Sequence, residues 1–123
     1  MYIEPRPFAS DFLVSCNEIF TIYVYTAGKK KYADQVLDKI DITGVIEKRF
    51  YRDSCKKVNG NVIKDLRYLK KVLREKKEMI LVDDNSDSIR HNYPFAVKVE
   101  AFEGDQQDGH LKTTFQTLLK FYR

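Results

Sequence analysis

Thr21-Ile22-Tyr23-Val24-Tyr25 is a run of β-branched and aromatic residues with no polar alternation beyond Thr21. A strand with one solvated face alternates apolar and polar side chains. A continuous apolar run marks a strand covered on both faces, as when helices pack on either side of a parallel sheet. The run therefore predicts a central strand. Thr26-Ala27-Gly28 ends it, and Tyr32, Ala33, Val36, Leu37 and Ile40 follow at the spacing of one helix face, completing a β-α unit.

The same alternation extends in both directions. Tyr2-Ile3 reads as the end of a strand, and Pro5 and Pro7 break the chain ahead of a helix carrying Phe8, Phe12, Leu13 and Cys16 on one side. Phe50-Tyr51 is a short strand. Val58-Asn59-Gly60-Asn61-Val62 places Asn-Gly between β-branched residues, the strongest local signal for a tight hairpin. Leu66, Leu69 and Leu73 mark an amphipathic helix, Met79-Ile80-Leu81-Val82 a buried strand and Ala96-Val97-Lys98-Val99 a further short strand. Leu111, Phe115, Leu118, Leu119 and Tyr122 share a face of a closing helix. The class is α/β, a mostly parallel sheet with helices on its faces and a hairpin insertion after Cys55.

With 43% hydrophobic residues, a chain of 123 residues can build the core of one domain. Its 22 basic residues exceed its 18 acidic ones by little. The basic residues fall in short runs, such as Lys29-Lys30-Lys31 and Lys56-Lys57, broken by apolar positions; solvated faces are expected rather than a nucleic-acid surface. Most aromatics lie on apolar stripes, which assigns them to the core. Cys16 and Cys55 form no CxxC pair and have no histidine at ligand spacing, so reduced thiols of an intracellular protein fit better than zinc or a disulfide. His91 and His110 also lack metal-ligand spacing, and Gly28-Lys29-Lys30-Lys31 lacks the upstream glycine of a P-loop. No apolar run approaches the roughly 20 residues of a membrane span, and the first residues lack the order of a signal peptide.

In open α/β sheets, ligands bind beyond the carboxyl ends of the strands. Three positions there draw attention. Thr26, between a strand and a helix, can hold phosphate oxygens or simply cap the helix. Asp83-Asp84 places two carboxylates at a strand end, where they suit a magnesium ion or form a solvated Asp-Asp-Asn-Ser turn. Lys64 follows the apolar pair Val62-Ile63 and serves either a site or a surface ion pair.

Taken in order, these positions and their flanks resemble the small C-terminal-domain phosphatases of RNA polymerase II, within the haloacid dehalogenase superfamily. The matching text is Arg6-Pro7 with Phe12-Leu13, Val24-Tyr25-Thr26-Ala27, and Lys31-Tyr32-Ala33-Asp34-Gln35-Val36-Leu37-Asp38. It continues with Phe50-Tyr51-Arg52-Asp53-Ser54-Cys55, Gly60-Asn61-Val62-Ile63-Lys64-Asp65-Leu66 and Ile80-Leu81-Val82-Asp83-Asp84-Asn85-Ser86. Gln35, Phe95 and Lys98 depart from the family text.

The resemblance implies phosphoryl binding by Thr26, charge neutralisation by Lys64, magnesium ligation by Asp83 with support from Asp84, and a substrate contact by Arg52. It implies attack of an aspartate on phosphoserine or phosphothreonine, giving an aspartyl-phosphate that water hydrolyses. It also implies a nuclear setting, with cytoplasm or mitochondrion open. The nucleophile belongs to an Asp-x-Asp motif ending the family's first, central strand, and no Asp-x-Asp occurs in these 123 residues. The expectation is an N-terminally incomplete domain whose first central strand is missing, leaving two half-sheets and no turnover as it stands. Two other readings stay open, a non-catalytic module that binds phosphopeptides or a transcription partner, and the mitochondrial import receptor branch of the superfamily.

Overall fold

The computed structural model describes residues 5–121, so the expected Tyr2-Ile3 strand and Tyr122 lie outside the described residues. The elements run α1 (Ala9–Asn17), β1 (Ile22–Tyr25), α2 (Lys30–Ile40), β2 (Ile46–Phe50), a 3-10 turn (Arg52–Ser54), β3 (Lys56–Val58), β4 (Asn61–Ile63), α3 (Leu66–Leu73), β5 (Leu81–Asp83), α4 (Ser86–Asn92), β6 (Ala96–Lys98), α5 (His110–Leu118) and a final 3-10 turn (Leu119–Phe121).

Strands pair two by two. β1 and β2 are parallel, with Tyr25 opposite Phe50 and a register shift between Ile22 and Tyr23. β5 and β6 are parallel, with Asp83 opposite Lys98. β3 and β4 form the antiparallel hairpin, with Val58 opposite Asn61. Its two turn residues, Asn59 and Gly60, have φ of 52° and 81°. Those are the left-handed conformations that a two-residue hairpin turn demands and that Asn-Gly tolerates.

Among the described residues, no strand is hydrogen-bonded between the two parallel pairs. This is the division into half-sheets expected from the sequence. One detail differs: among the described residues β1 pairs with β2 alone, and all four of its residues are only half-buried. Its apolar run suits a more enclosed setting than it has here.

What joins the two pairs is the core. Phe50 of β2, Leu66 and Leu69 of α3 and Leu81 of β5 are buried together, with Tyr23, Tyr25, Met79, Ile89 and Ala96 packed around them. Leu69 is the most buried of the core's apolar side chains, at 1% exposure. Full burial of each such side chain contributes about 1.5–3 kcal/mol. α3 thus lies against both strand pairs and fixes the ends that carry the polar residues.

The other elements brace this centre. Asp34 on α2 accepts from Lys30 Nζ at 2.7 Å, Arg49 Nη1 at 2.8 Å and Tyr51 OH at 2.5 Å, tying α2 to β2. The Lys30, Tyr51 and Arg49 contacts hold its carboxyl well below the usual carboxylate range. Arg6, near the start of the described chain, is tied to Asp108, just before α5, through a 3.1 Å ion pair.

Three expectations shift. α4 is a helix where only turn chemistry was foreseen; Asn85 caps it by accepting from Ser88 N at 2.9 Å. Phe8 leaves the α1 stripe, standing exposed at the cap position with φ 67° beneath the Lys112 ammonium. Tyr32, Tyr68, Tyr93, Phe95 and Phe121 are exposed as well, so fewer aromatics are core than the stripes suggested.

Candidate phosphate and metal site

β1 hands the chain to Thr26 at its carboxyl end, where Thr26 N donates to Phe50 O at 2.9 Å and extends the parallel ladder by one bond. The Thr26 hydroxyl oxygen accepts from Gly28 N at 3.0 Å, which leaves its proton free to donate. A Cβ at Gly28 would stand only 3.3 Å from that oxygen, so the loop closes tightly around the hydroxyl. Thr26 is not the cap of α2; Lys29 holds that position and makes no side-chain cap bond.

Arg52 is stitched to the same loop. Its backbone N–H donates to Gly28 O at 3.1 Å and its Nε to Ala27 O at 2.6 Å. The rest of the exposed guanidinium is left available, a planar donor fork suited to a phosphate or carboxylate.

Across the core, Lys64 follows β4 directly and Asp83 closes β5. Lys64 Nζ lies 2.6 Å from Asp83 Oδ2, with side-chain exposures of 14% and 9%. The other oxygen, Oδ1, accepts from Asp84 N at 2.8 Å and Asn85 N at 3.4 Å. The carboxylate is thereby fixed in orientation at the mouth of the strand. Asp84 is exposed beside it. Lys64 accordingly pairs with an acid 19 residues away rather than with its neighbour Asp65.

Two contacts bring the halves together. Tyr25, immediately before Thr26, accepts from Asp65 N at 3.1 Å, immediately after Lys64, and donates to Ser54 O at 2.5 Å. Burial pushes its hydroxyl up to about 12, opposed by the Asp65 N–H. Cys55 Sγ lies 3.7 Å from Thr26 O, and its thiol is pushed up by burial while the Lys64 and Arg52 charges pull it back. Thr26, Arg52 and Lys64 are thus grouped around Tyr25 and Cys55. Beside them the surface sinks into an open depression of about 340 Å³ lined by Asp53, Ser54, Cys55, Lys56, Asp65 and Tyr68.

Magnesium demands oxygen ligands and is commonly held by one or two carboxylates, with waters and substrate phosphate completing six positions. Asp83 Oδ1 already accepts two backbone N–H bonds, so its spare acceptor capacity lies on Oδ2, beside the Lys64 ammonium, and the exposed Asp84 follows it in the chain. Among the described residues, no group of three potential ligands converges. A magnesium ion held by Asp83 and Asp84 would draw its remaining ligands from substrate, water or another carboxylate.

Sequence reasoning named Thr26, Arg52, Lys64 and Asp83-Asp84 but overlooked three residues that touch the Lys64 connector, namely Tyr25, Ser88 and Asn92. In the sequence Tyr25 belongs to an apolar strand run and carries no sign of a polar role. Ser88 and Asn92 are four apart, a helix-face spacing that becomes visible only once α4 is known to be a helix.

Comparisons with known proteins identify the family. The chain matches the family described as NLI interacting factor-like phosphatase over residues 1–123. It is 39% identical over 111 residues to a probable C-terminal domain small phosphatase of Dictyostelium discoideum, covering 90% of this chain and 35% of that protein. It is 34% identical over 123 residues to the human carboxy-terminal domain RNA polymerase II polypeptide A small phosphatase 1, covering 99% of this chain and 44% of that one. Among solved structures, that of Fcp1, an essential RNA polymerase II CTD phosphatase, superposes with a TM-score of 0.62 at 27% identity, covering 94% of this chain and 33% of that chain. The chain thus spans between a third and under half the length of these relatives. It is a haloacid dehalogenase-type CTD phosphatase-like domain, and it belongs to the NLI interacting factor-like phosphatase family.

Proposed function

We propose that this chain supplies the phosphate-binding and charge-compensating part of a magnesium-dependent protein serine/threonine phosphatase, acting on the RNA polymerase II C-terminal domain or a similar phosphoprotein in the nucleus. The observation that carries the reading is the 2.6 Å Lys64–Asp83 contact at the end of β5, tied through Tyr25 to the loop that holds Thr26 and Arg52. A phosphoryl group entering there meets a hydroxyl donor from Thr26, the free edge of the Arg52 fork and the Lys64 ammonium. Preorganised donors of this kind stabilise the charge of a transferring phosphoryl group. Asp83, with Asp84, would hold the metal, which offsets phosphate charge when bound.

No Asp-x-Asp occurs in the 123 residues, so the attacking aspartate comes, in this reading, from a segment outside them that pairs between β1 and β5. The test is hydrolysis of para-nitrophenyl phosphate with magnesium. The 123-residue chain is expected to give no turnover; the chain joined to its upstream coding segment is expected to give turnover that Asp83→Asn abolishes. Stop codons in every upstream frame, with no exon encoding Asp-x-Asp-x-Thr, would sink the enzyme reading. Phosphopeptide binding without turnover would then identify a non-catalytic module, the second reading.

A further inference from the structure

β4 ends at Ile63 and α3 begins at Leu66, so Lys64 and Asp65 alone connect them. Backbone N–H groups in such a connector, and in the first turn of the helix after it, have no ladder or helical acceptor of their own. Here three in succession find side chains from distant elements. Lys64 N donates to Ser88 Oγ at 3.2 Å, Asp65 N to Tyr25 OH at 3.1 Å and Leu66 N to Asn92 Oδ1 at 2.9 Å. Asn92 closes the clamp from the other side, with Nδ2 donating to Lys64 O at 2.8 Å and to Ser88 O at 2.8 Å.

We infer that Tyr25, Ser88 and Asn92 are positioning residues that set the Lys64 ammonium against Asp83 and couple it to the strand bearing Thr26. The inference rests on the phosphatase reading for what Lys64 does, while the placement of Lys64 stands on the geometry alone. Two features separate this clamp from ordinary loop packing. First, α4 starts three residues after Asp83, so one short helix orients both the carboxylate, through its entry turn, and the backbone of the lysine that meets it. Second, the Tyr25 hydroxyl bond lies one residue from Thr26 at one end and one residue from Lys64 at the other. Any shift of one phosphate-binding group relative to the other must stretch that bond.

A lysine side chain carries about 2 kcal/mol of rotamer entropy and holds no position by itself. With its backbone fixed at N–H and C=O, its reach to Asp83 is short and directed. The same clamp keeps the ammonium available to a phosphate that arrives between Thr26 and Asp83.

The test uses the 123-residue chain and two near-isosteric variants. Tyr25→Phe keeps the ring and its packing on Phe50 but removes both hydroxyl bonds; Asn92→Asp keeps an acceptor for Leu66 N but removes the donor to Lys64 O. The readouts are the Lys64 ammonium 1H–15N resonance, assigned by its loss in Lys64→Ala, and titration with inorganic phosphate in magnesium buffer. Both variants are expected to broaden or lose the resonance and to weaken phosphate about five-fold, the equivalent of one hydrogen bond of about 1 kcal/mol. Phe50→Leu, which loosens the packing on the Tyr25 ring but removes no hydrogen-bonding group of the clamp, is expected to lower Tm while leaving the resonance in place.

An unchanged resonance in both Tyr25→Phe and Asn92→Asp overturns the inference. So does an equal loss in Phe50→Leu, since the role would then be packing alone. If the unmodified chain binds no phosphate at all, the phosphate-site reading fails, and the resonance comparison still decides whether the clamp positions Lys64.

Discussion

Lys64 and Asp83 keep 14% and 9% of their side-chain surface, whereas Arg52, on the 3-10 turn after β2, stands exposed. Both corners are candidates for contact with one phosphate, yet they are held differently. The Lys64–Asp83 corner is fixed by side chains, with Ser88 and Asn92 reaching in from α4 and Tyr25 from β1. The Thr26–Arg52 corner is held mostly by backbone partners, Phe50 O, Gly28 O and Ala27 O. The difference teaches where a sequence change is felt. The first corner depends on residue identity at many positions, the second on the path of the chain.

The largest expected effect follows from breaking the buried pair. Asp83→Asn leaves a mostly buried ammonium without its counter-charge, a change that costs about 3 kcal/mol in comparable settings. Urea unfolding should show the midpoint falling without a change in slope. Equal stability for the variant would mean that Lys64 finds water readily, and the contrast between the corners would collapse.

Burial also separates groups by pH. Cys16 of α1 is pushed up to about 11 from an ordinary value of 9.0, and Tyr25 up to about 12 from 10.0, in both cases chiefly by burial. Both ionise more easily in the unfolded chain. Their stability contribution is complete below pH 9 and is lost as pH rises from about 9 to 12. The Cys16 part amounts to roughly 2–3 kcal/mol. Thermal melts of Cys16→Ala between pH 8 and 12 should flatten the first half of that decline, and Tyr25→Phe the second. If Tyr25→Phe leaves the upper half unchanged, the hydroxyl is better hydrated than its bonds to Ser54 O and Asp65 N imply.

Ser88 offers a finer cut, at 1% exposure and with its hydroxyl accepting from Lys64 N. Ser88→Ala strands one buried donor, a loss of about 1–2 kcal/mol and a Tm lower by several degrees for a domain this size. Ser88→Thr, which keeps the oxygen, should recover part of the loss. No recovery would show that the added methyl, rather than the bond, governs the site.

Much of this was legible in the chain. The hairpin is readable at Asn59-Gly60 because two successive left-handed residues leave few alternatives, and α3 is readable because Leu66, Leu69 and Leu73 repeat at helical spacing. The polar residues at strand ends were legible for a similar reason, since buried runs that stop at Thr26 and Asp83 point to where a sheet opens. α4 was harder to see. Ser86 to Asn92 carries little apolar periodicity, and its buried face is made by Ser88, Ile89 and Asn92, two of them polar. A helix whose packing is done through hydrogen bonds leaves no hydrophobic stripe to read. Tyr25 was hidden differently, since nothing in an apolar strand reveals that a ring packs in the core while its hydroxyl serves two loops. β1 shows the limit from the other side, with an apolar run richer than the half-buried setting it occupies among the described residues.

The smallest effect on stability is expected at Arg52, and it tests the open corner directly. Its Nε is held by Ala27 O at 2.6 Å while the remainder of the fork is exposed, so Arg52→Lys keeps the charge and removes the fixed plane. An exposed substitution of this kind changes stability by no more than about 0.5 kcal/mol. Phosphate recognition should respond more strongly, because a lysine ammonium is a point charge on a flexible stem and cannot present two parallel donors. Titration with a phosphoserine peptide should show affinity several-fold weaker at unchanged Tm, with the deficit persisting at high salt if geometry is the cause and shrinking if charge alone is. Equal affinity in Arg52→Lys would mean that the backbone stitching at Ala27 and Gly28 orients nothing, and that the Thr26–Arg52 corner contributes only charge.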